Sequence, residues 1–112
     1  MPEALPAFSA YGIELEYMLV DRDTLNVRPI ADQLLAALPA SDSIVNCSNE
    51  LVNHVIEIKN PVPTDLARLP DAFQQQVHQL NAWLSGQNAC LLPTAMHPWM
   101  NPTRETVLWP DD

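Results

Sequence analysis

The chain has 112 residues, 47% of them hydrophobic, and its 14 acidic and five basic residues give a formal net charge of −9 at pH 7. That length suits one domain or part of one, and the apolar content is enough for a core, which argues against wholesale disorder. The negative charge argues against nucleic acid or an anionic membrane as partner, because either would repel the chain, and it is compatible with cations.

The first predicted element is a strand over residues 12–20, after an irregular stretch over residues 1–10. Alternation along this strand places Glu14 and Glu16 on one face. The opposite face carries four apolar side chains: Ile13, Leu15, Tyr17 and Leu19. Two carboxylates at this spacing lie about 7 Å apart and repel each other. Either something positive offsets the repulsion, or the face is open to water.

Five shorter segments follow in chain order. Turn residues occupy 21–25, a short return strand is predicted over 26–29, and a short helix is predicted over 30–38. An extended segment is expected over 43–47. A strong strand pattern covers 52–59, and the prolines that follow it are expected to end the strand.

The clearest predicted element is an amphipathic helix over residues 66–84, with apolar residues at steps of three and four. Pro70 lies within its first turns, so residues 64–69 are predicted as a separate turn and Asp71 as the cap of the main helix. Gly86 is predicted to close the helix.

A short strand over residues 90–92 and a proline-pinned loop over residues 96–102 complete the pattern. The order of elements predicts an α+β fold, a mainly antiparallel sheet with helices packed on one face. The segment after Asn101 leaves Trp109 exposed without a later element to cover it. We therefore interpret the chain as part of a larger domain.

Four acids suggest a cation site. Hard divalent cations such as Mg²⁺ take carboxylate oxygens, and Glu14 and Glu16 would supply two. A second pair, Glu50 and Glu57, lies around the strand over residues 52–59. Their offset is odd, so one uninterrupted strand would place them on opposite faces. They converge only if Glu50 lies on the turn before the strand or a bulge intervenes.

Each of these acids also has a simpler interpretation. Glu14 and Glu16 are typical of a solvated strand face. Glu57 either binds a cation or pairs with Lys59 or with Arg28 across the sheet. The sequence alone leaves these alternatives open.

The remaining polar candidates lie outside the two strands or on their other face. His97, in the loop MHPW, is a candidate for substrate binding, although a proline-rich loop needs no functional histidine. His54 is expected to be a core or surface histidine. Cys47 and Cys90 are interpreted as small buried thiols, reduced in a cytoplasmic protein, because the N-terminal residues do not resemble a signal peptide. No apolar run is long enough to span a bilayer.

Three motifs in order carry a family resemblance. They are GIELEYMLVD over residues 12–21, ELVNHVIEIKNPVP over residues 50–63 and, after the long helix, LLPTAMHPW over residues 91–99. Together they resemble the glutamate–cysteine ligases and related carboxylate–amine ligases, which share the glutamine-synthetase-like ligase fold. The resemblance covers residues 11 to about 110. It implies that residues 1–112 are a single N-terminal portion of a ligase catalytic domain.

The resemblance implies that Glu14, Glu16, Glu50 and Glu57 are ligands of Mg²⁺ (or Mn²⁺) around the phosphates of ATP, a co-substrate. ATP would phosphorylate the γ-carboxylate of glutamate, and an amine, often that of cysteine, would attack the acyl phosphate, as in glutathione biosynthesis. The bases that hold ATP would lie beyond Asp112. The isolated chain is therefore expected to be inactive.

Two further expectations concern partners. The small-molecule partners would be an amino acid and ATP, and unpaired sheet edges predict a homo-oligomer. The alternative to the ligase is a non-catalytic, acidic α+β module that binds a cation or a partner protein.

Overall fold

The computed structural model describes residues 4–38, 45–60, 65–94 and 96–110. The strands are β1 (Glu14–Asp21), β2 (Cys47–Asn49), β3 (Val55–Lys59) and β4 (Ala89–Leu92). The helices are α1 (Ala31–Ala37), α2 (Leu69–Ser85) and α3 (Pro102–Glu105), and a 3₁₀ turn (Leu66–Arg68) precedes α2. The strands form one sheet in the order β2-β3-β1-β4, and each neighbouring pair is antiparallel.

The core lies between one face of this sheet and the helices α1 and α2. Its fully buried side chains come from β1, β3 and both helices: Leu19, Leu34, Ile56, Ile58, Leu80 and Leu84. Each fully buried aliphatic side chain stabilises the fold by about 1.5–3 kcal/mol. The predicted α+β fold, with an antiparallel sheet and helices on one face, is confirmed.

The other face of β1 changes character along its length. Glu14 and Glu16 are exposed there, whereas Met18 and Val20, which share that face by alternation, are buried outside the helix-side core. The second half of β1 is therefore covered on both faces, and the acids lie only on its first half.

Two strand predictions were too long. The return strand predicted over residues 26–29 consists of one bridge, between Val27 and Val20. The strand predicted from Val52 begins later, because Val52 forms a bridge with Leu108 instead. In both cases the pairing is a single bridge in place of a longer ladder, which the local pattern does not show.

The prediction for the start of the long helix was partly wrong. The separate turn is present, but Asp71 is not the cap: α2 begins at Leu69 with Pro70 in its first turn, and Asp71 lies inside it. Proline suits this position because the first N–H groups of a helix have no partner within the helix. The side chain of Asp65 caps the 3₁₀ turn instead. Gly86 ends α2 as predicted.

The C-terminal segment is not left uncovered as predicted. The N–H of Trp109 donates to the C=O of Leu51 at 2.9 Å, and the N–H of Asn53 donates to the C=O of Val107 at 2.7 Å. The Trp109 side chain is partly buried against the core. The segment thus runs back along the connection between β2 and β3 and covers its own tryptophan.

Some expectations lie outside the described residues, namely the prolines after β3 and part of the extended segment 43–47. Within the described ranges, residues 4–10 form no helix or strand, as expected. None of the described helices has the length and apolar character needed to cross a bilayer.

Candidate metal centre

The register of β1 and β3 brings acids from the two strands face to face. Glu16 lies directly opposite Glu57, and Glu14 lies opposite Lys59. Directly opposed residues have Cβ atoms about 4.5–5.5 Å apart, which is within reach of two glutamate side chains. Two acids of the predicted set, Glu16 and Glu57, therefore meet across the sheet.

Glu50 reaches the same face from the connection between β2 and β3. It directly follows β2, where Ser48 lies opposite Glu57. Two residues further on, Glu50 points to the same side as Ser48 by strand alternation. The odd offset between Glu50 and Glu57 is no obstacle, because the two residues belong to a hairpin and not to one strand. The expectation that Glu50 lies before the strand is confirmed.

Three carboxylates converge at this point. One oxygen each from Glu16, Glu50 and Glu57 lies within 4.8 Å of the other two. The Glu16 side chain is exposed, and the other two are partly buried. Mg²⁺ binds oxygens at about 2.1 Å, so neighbouring ligands of its octahedron lie roughly 3 Å apart, and the three side chains would have to move closer together to bind it. The donor set suits Mg²⁺ or Mn²⁺.

The electrostatics of the cluster are those of crowded acids. The pKa of Glu57 is raised to about 7, first by its hydrogen bond with the Glu50 carboxyl, then by burial and by the charges of Glu50 and Glu14. Near neutral pH, Glu57 therefore holds a proton for part of the time. A divalent cation could replace that proton.

Glu14 lies beside this cluster and not within it. Its carboxylate is 3.8 Å from the Nζ atom of Lys59. Arg28 pairs with Asp21 at 3.3 Å. Neither base makes an ion pair with Glu57, so the simpler interpretation of Glu57 as a cross-sheet ion pair does not describe this geometry.

Buried amides that the sequence analysis did not single out hold the acid-bearing strands in place. Gln76 on α2 is 1% exposed; its side chain donates to the C=O of Lys59 and accepts from the N–H of Asn46, both at 2.8 Å. It thereby joins the end of β3 to the start of β2. The sequence feature that could have revealed Gln76 is a polar residue on the apolar stripe of the helix.

Asn60 performs a similar role at the start of β1. Its side chain accepts from the N–H of Ile13 at 2.6 Å and donates to the C=O of Tyr11 at 2.7 Å. These bonds tie the residues before β1 to the end of β3. They support the register that sets Glu16 opposite Glu57.

His97 has both ring nitrogens occupied by backbone groups. Nε2 lies 2.6 Å from the C=O of Leu25, and Nδ1 accepts from the N–H groups of Trp99 and Met100, both at 3.1 Å. Through these bonds the ring connects its own loop to the turn after β1. Substrate binding by His97 remains a prediction, and it would require one of these bonds to be exchanged.

The expectation for His54, a core or surface histidine, fits the structure, whereas the prediction that Cys47 and Cys90 are buried was only partly right. His54 is buried, and burial lowers its pKa. Cys47 and Cys90 are free thiols of intermediate exposure, and burial raises the pKa of Cys47 to about 12. A thiol with so high a pKa is a poor nucleophile at neutral pH.

Comparison with known proteins connects this geometry to a family. The family model described as glutamate-cysteine ligase family 2 matches residues 10–108. A Rubrobacter xylanophilus protein provisionally named glutamate–cysteine ligase 2-1 is 27% identical over 88 residues, which make up 79% of this chain and 23% of that protein. The chain thus spans less than a quarter of that relative's length. No solved structure gives a significant match.

The family match extends from the residues before β1 to the segment that packs along the β2–β3 connection. It includes all four strands and every acid of the cluster. The resemblance inferred from the three motifs is confirmed, and the chain belongs to glutamate-cysteine ligase family 2.

Proposed function

We propose that this chain provides the cation-binding sheet face of an ATP-dependent carboxylate–amine ligase of the glutamate–cysteine ligase type. The observation that carries the proposal is the convergence of Glu16, Glu50 and Glu57 on one face of the sheet. Three carboxylates would supply half of an octahedral Mg²⁺ shell and leave positions for phosphate oxygens and water. Glu14, beside them, adds negative charge that attracts a cation.

The proposed reaction has two steps. A carboxylate oxygen of the substrate acid attacks the γ-phosphorus of ATP, the bond to ADP breaks, and an acyl phosphate forms. The amine nitrogen then attacks the acyl carbon, inorganic phosphate leaves, and the nitrogen loses a proton. A bound Mg²⁺ would neutralise charge on the phosphates and on the group being transferred.

The chain's own residues contribute position and charge to such a site. The β1–β3 register sets Glu16 against Glu57, and the hairpin from β2 brings in Glu50. The proton that Glu57 holds near neutral pH would leave when the cation binds.

ATP also needs positive groups around its phosphates, and here the described chain contributes little. Of its five bases, Lys59 and Arg28 pair with acids of the same sheet. Phosphoryl transfer depends on positioning as well as on the metal. We therefore expect this chain alone to bind the cation without turning over ATP, and we propose that a longer ligase provides the remaining groups.

The cation site is tested by thermal unfolding with and without millimolar MnCl₂. A ligand that binds only the folded chain stabilises it, by about 2.7 kcal/mol when its concentration is 100 times its Kd. For a domain of this size we expect a rise in Tm of several degrees. The Glu16→Gln/Glu50→Gln/Glu57→Gln variant should lose that rise.

Asp71→Asn is the matched control. Asp71 is an exposed acid on α2, outside the cluster, so its replacement removes one negative charge without changing the site. It should keep the Mn²⁺-dependent rise in Tm. An equal rise in the triple variant would show that Mn²⁺ stabilises the chain at some other place, and the proposed site would be wrong.

A further inference from the structure

The two edges of the sheet are not equivalent. On β4, the N–H of Leu91 is bonded to the side chain of Asn81 on α2, at 3.2 Å. An edge strand whose outward donor is already bonded offers less to an incoming strand. The β4 edge is therefore partly closed by the helix behind it.

Among the described residues, no strand pairs with the outer edge of β2. The N–H of Lys59 donates to the C=O of Asn46 at 2.9 Å, so Asn46 faces β3. Alternation then directs the backbone N–H and C=O groups of Cys47 and Asn49 away from β3. No backbone hydrogen bond joins these outward groups to another described residue. They present a short template for one more strand.

A groove lies beside this open edge. Its volume is about 480 Å³, and it runs between β2 and α1. Its apolar lining consists of Leu35, Leu38, Val45 and Cys47. A strand added at the β2 edge would direct every second side chain to this side of the sheet. Those side chains should be apolar.

The other side of the same edge is acidic. Ser48 and Glu50 point to the face where Glu16, Glu50 and Glu57 converge, and the whole chain carries a net charge of −9. The alternate side chains of an added strand would point to this face. Basic residues there would gain a favourable interaction, and acidic residues would be repelled.

We propose that the open edge of β2 binds an extended polypeptide segment in which apolar and basic residues alternate. Its backbone would bond Cys47 and Asn49, its apolar side chains would enter the groove beside α1, and its basic side chains would face Glu50 and Glu57. This is strand addition, in which main-chain bonds provide affinity and alternate side chains provide specificity. A second copy of this chain fits less well, because pairing two β2 edges would bring two acidic faces together.

Hydrogen exchange followed by NMR tests the site with a synthetic heptapeptide, acetyl-Lys-Val-Lys-Val-Lys-Val-Lys-amide, in buffer containing EDTA. At saturating peptide, we expect the amides of Cys47 and Asn49 to exchange about tenfold more slowly, and the amide of Leu91 to be unchanged. The same peptide with Glu in place of Lys should not bind. A peptide with its four Lys residues grouped before its three Val residues should bind more weakly.

A pair of variants at one position isolates the backbone donor. Asn49→Pro removes the outward N–H without removing a bond to β3, and edge strands tolerate proline. It should weaken peptide binding about tenfold. Asn49→Ala keeps the N–H and should bind the peptide nearly as the unchanged chain does. If Asn49→Pro does not fold, the exchange measurement on the unchanged chain still decides the question.

Three results would overturn the proposal. The first is failure of the Lys-Val peptide to bind at millimolar concentration. The second is protection at Leu91 in place of Cys47 and Asn49. The third is protection of Cys47 and Asn49 that rises with protein concentration in the absence of peptide, which would assign the edge to a second copy of the chain.

Discussion

Glu57 keeps its proton to higher pH than an ordinary glutamate, because it shares a hydrogen bond with Glu50 on a face crowded with acids. Its pKa of about 7 lies above the ordinary value of 4.5, so the folded chain binds more protons than the unfolded chain between these values. The stabilising contribution of this proton is complete below about pH 4.5 and is lost as the pH rises through about 7.

Glu57→Gln should remove this pH dependence. Glutamine keeps the shape of the protonated side chain and cannot ionise, so the variant should match the unchanged chain near pH 5 and be more stable at pH 8. Because the carboxyl is only partly buried, water screens the effect, and we expect a gain of about 1 kcal/mol or less, or up to about 6 °C in Tm. Urea unfolding at several pH values between 5 and 8 measures it. Parallel curves for the two proteins would contradict the raised pKa.

His97 is the second residue whose role can be separated by mutation. Its ring joins Leu25 to the backbone of Trp99 and Met100, so His97→Ala should cost about 1–3 kcal/mol of stability. His78→Ala is the control, because His78 is exposed on α2 and bonds Gln74 within the same helix. Denaturant unfolding compares the two variants. Equal, small losses would show that the loop does not depend on the His97 ring.

At the scale of elements, α2 fixes the relation between the two strands beneath it. Gln76 bonds the end of β3 and the residue before β2, and it is buried. Gln76→Ala should destabilise the chain by about 1–3 kcal/mol, because it removes two hydrogen bonds to part-buried backbone groups, the N–H of Asn46 and the C=O of Lys59. Gln75→Ala, on the exposed face of the same helix, should change stability by less than about 0.5 kcal/mol.

The Gln76 variant should also weaken Mn²⁺ binding, since β2 carries Glu50 into the cluster. Thermal unfolding with and without MnCl₂ measures both effects in one experiment. A Gln76→Ala chain that loses stability but keeps its full Mn²⁺ response would show that Gln76 supports the fold and not the site.

The local sequence pattern was sufficient to predict elements that pair with nearby residues or that bury only one face. β1 and α2 show clear periodicities of two and of three to four residues, and both were predicted with nearly the observed limits. The start of β3 was not predicted correctly, because Val52 is paired with Leu108, far along the chain. Such pairing leaves no trace in the sequence near either residue.

The candidate site was predictable only to the level of residue type and face. Alternation placed Glu14 and Glu16 together, but it could not decide which of them meets Glu57, because that depends on the register between β1 and β3. The buried amides Gln76 and Asn60 were not recognised, since a buried amide and an exposed one are the same letter in a sequence. These amides hold the strands in place because they are buried, and the residue type alone does not show burial.

The whole molecule carries a net charge of −9, and three of its acids converge on one sheet face. Both features favour the binding of a cation. A cation bound at the cluster would reduce both the local repulsion and the overall charge. The family match covers residues 10–108, so all of the cluster lies within the part of the chain that shows the family.

The most direct test of the central claim is calorimetric titration of the chain with Mn²⁺, repeated in two buffers of different ionisation enthalpy so that proton release can be measured. We expect one Mn²⁺ per chain, and release of a proton below about pH 7 that declines at higher pH as Glu57 ionises without the metal. Glu57→Gln should bind more weakly and release no proton, and Asp71→Asn should behave as the unchanged chain does. Absence of Mn²⁺ binding at millimolar concentration, or binding and proton release that Glu57→Gln leaves unchanged, would contradict a cation site at Glu16, Glu50 and Glu57.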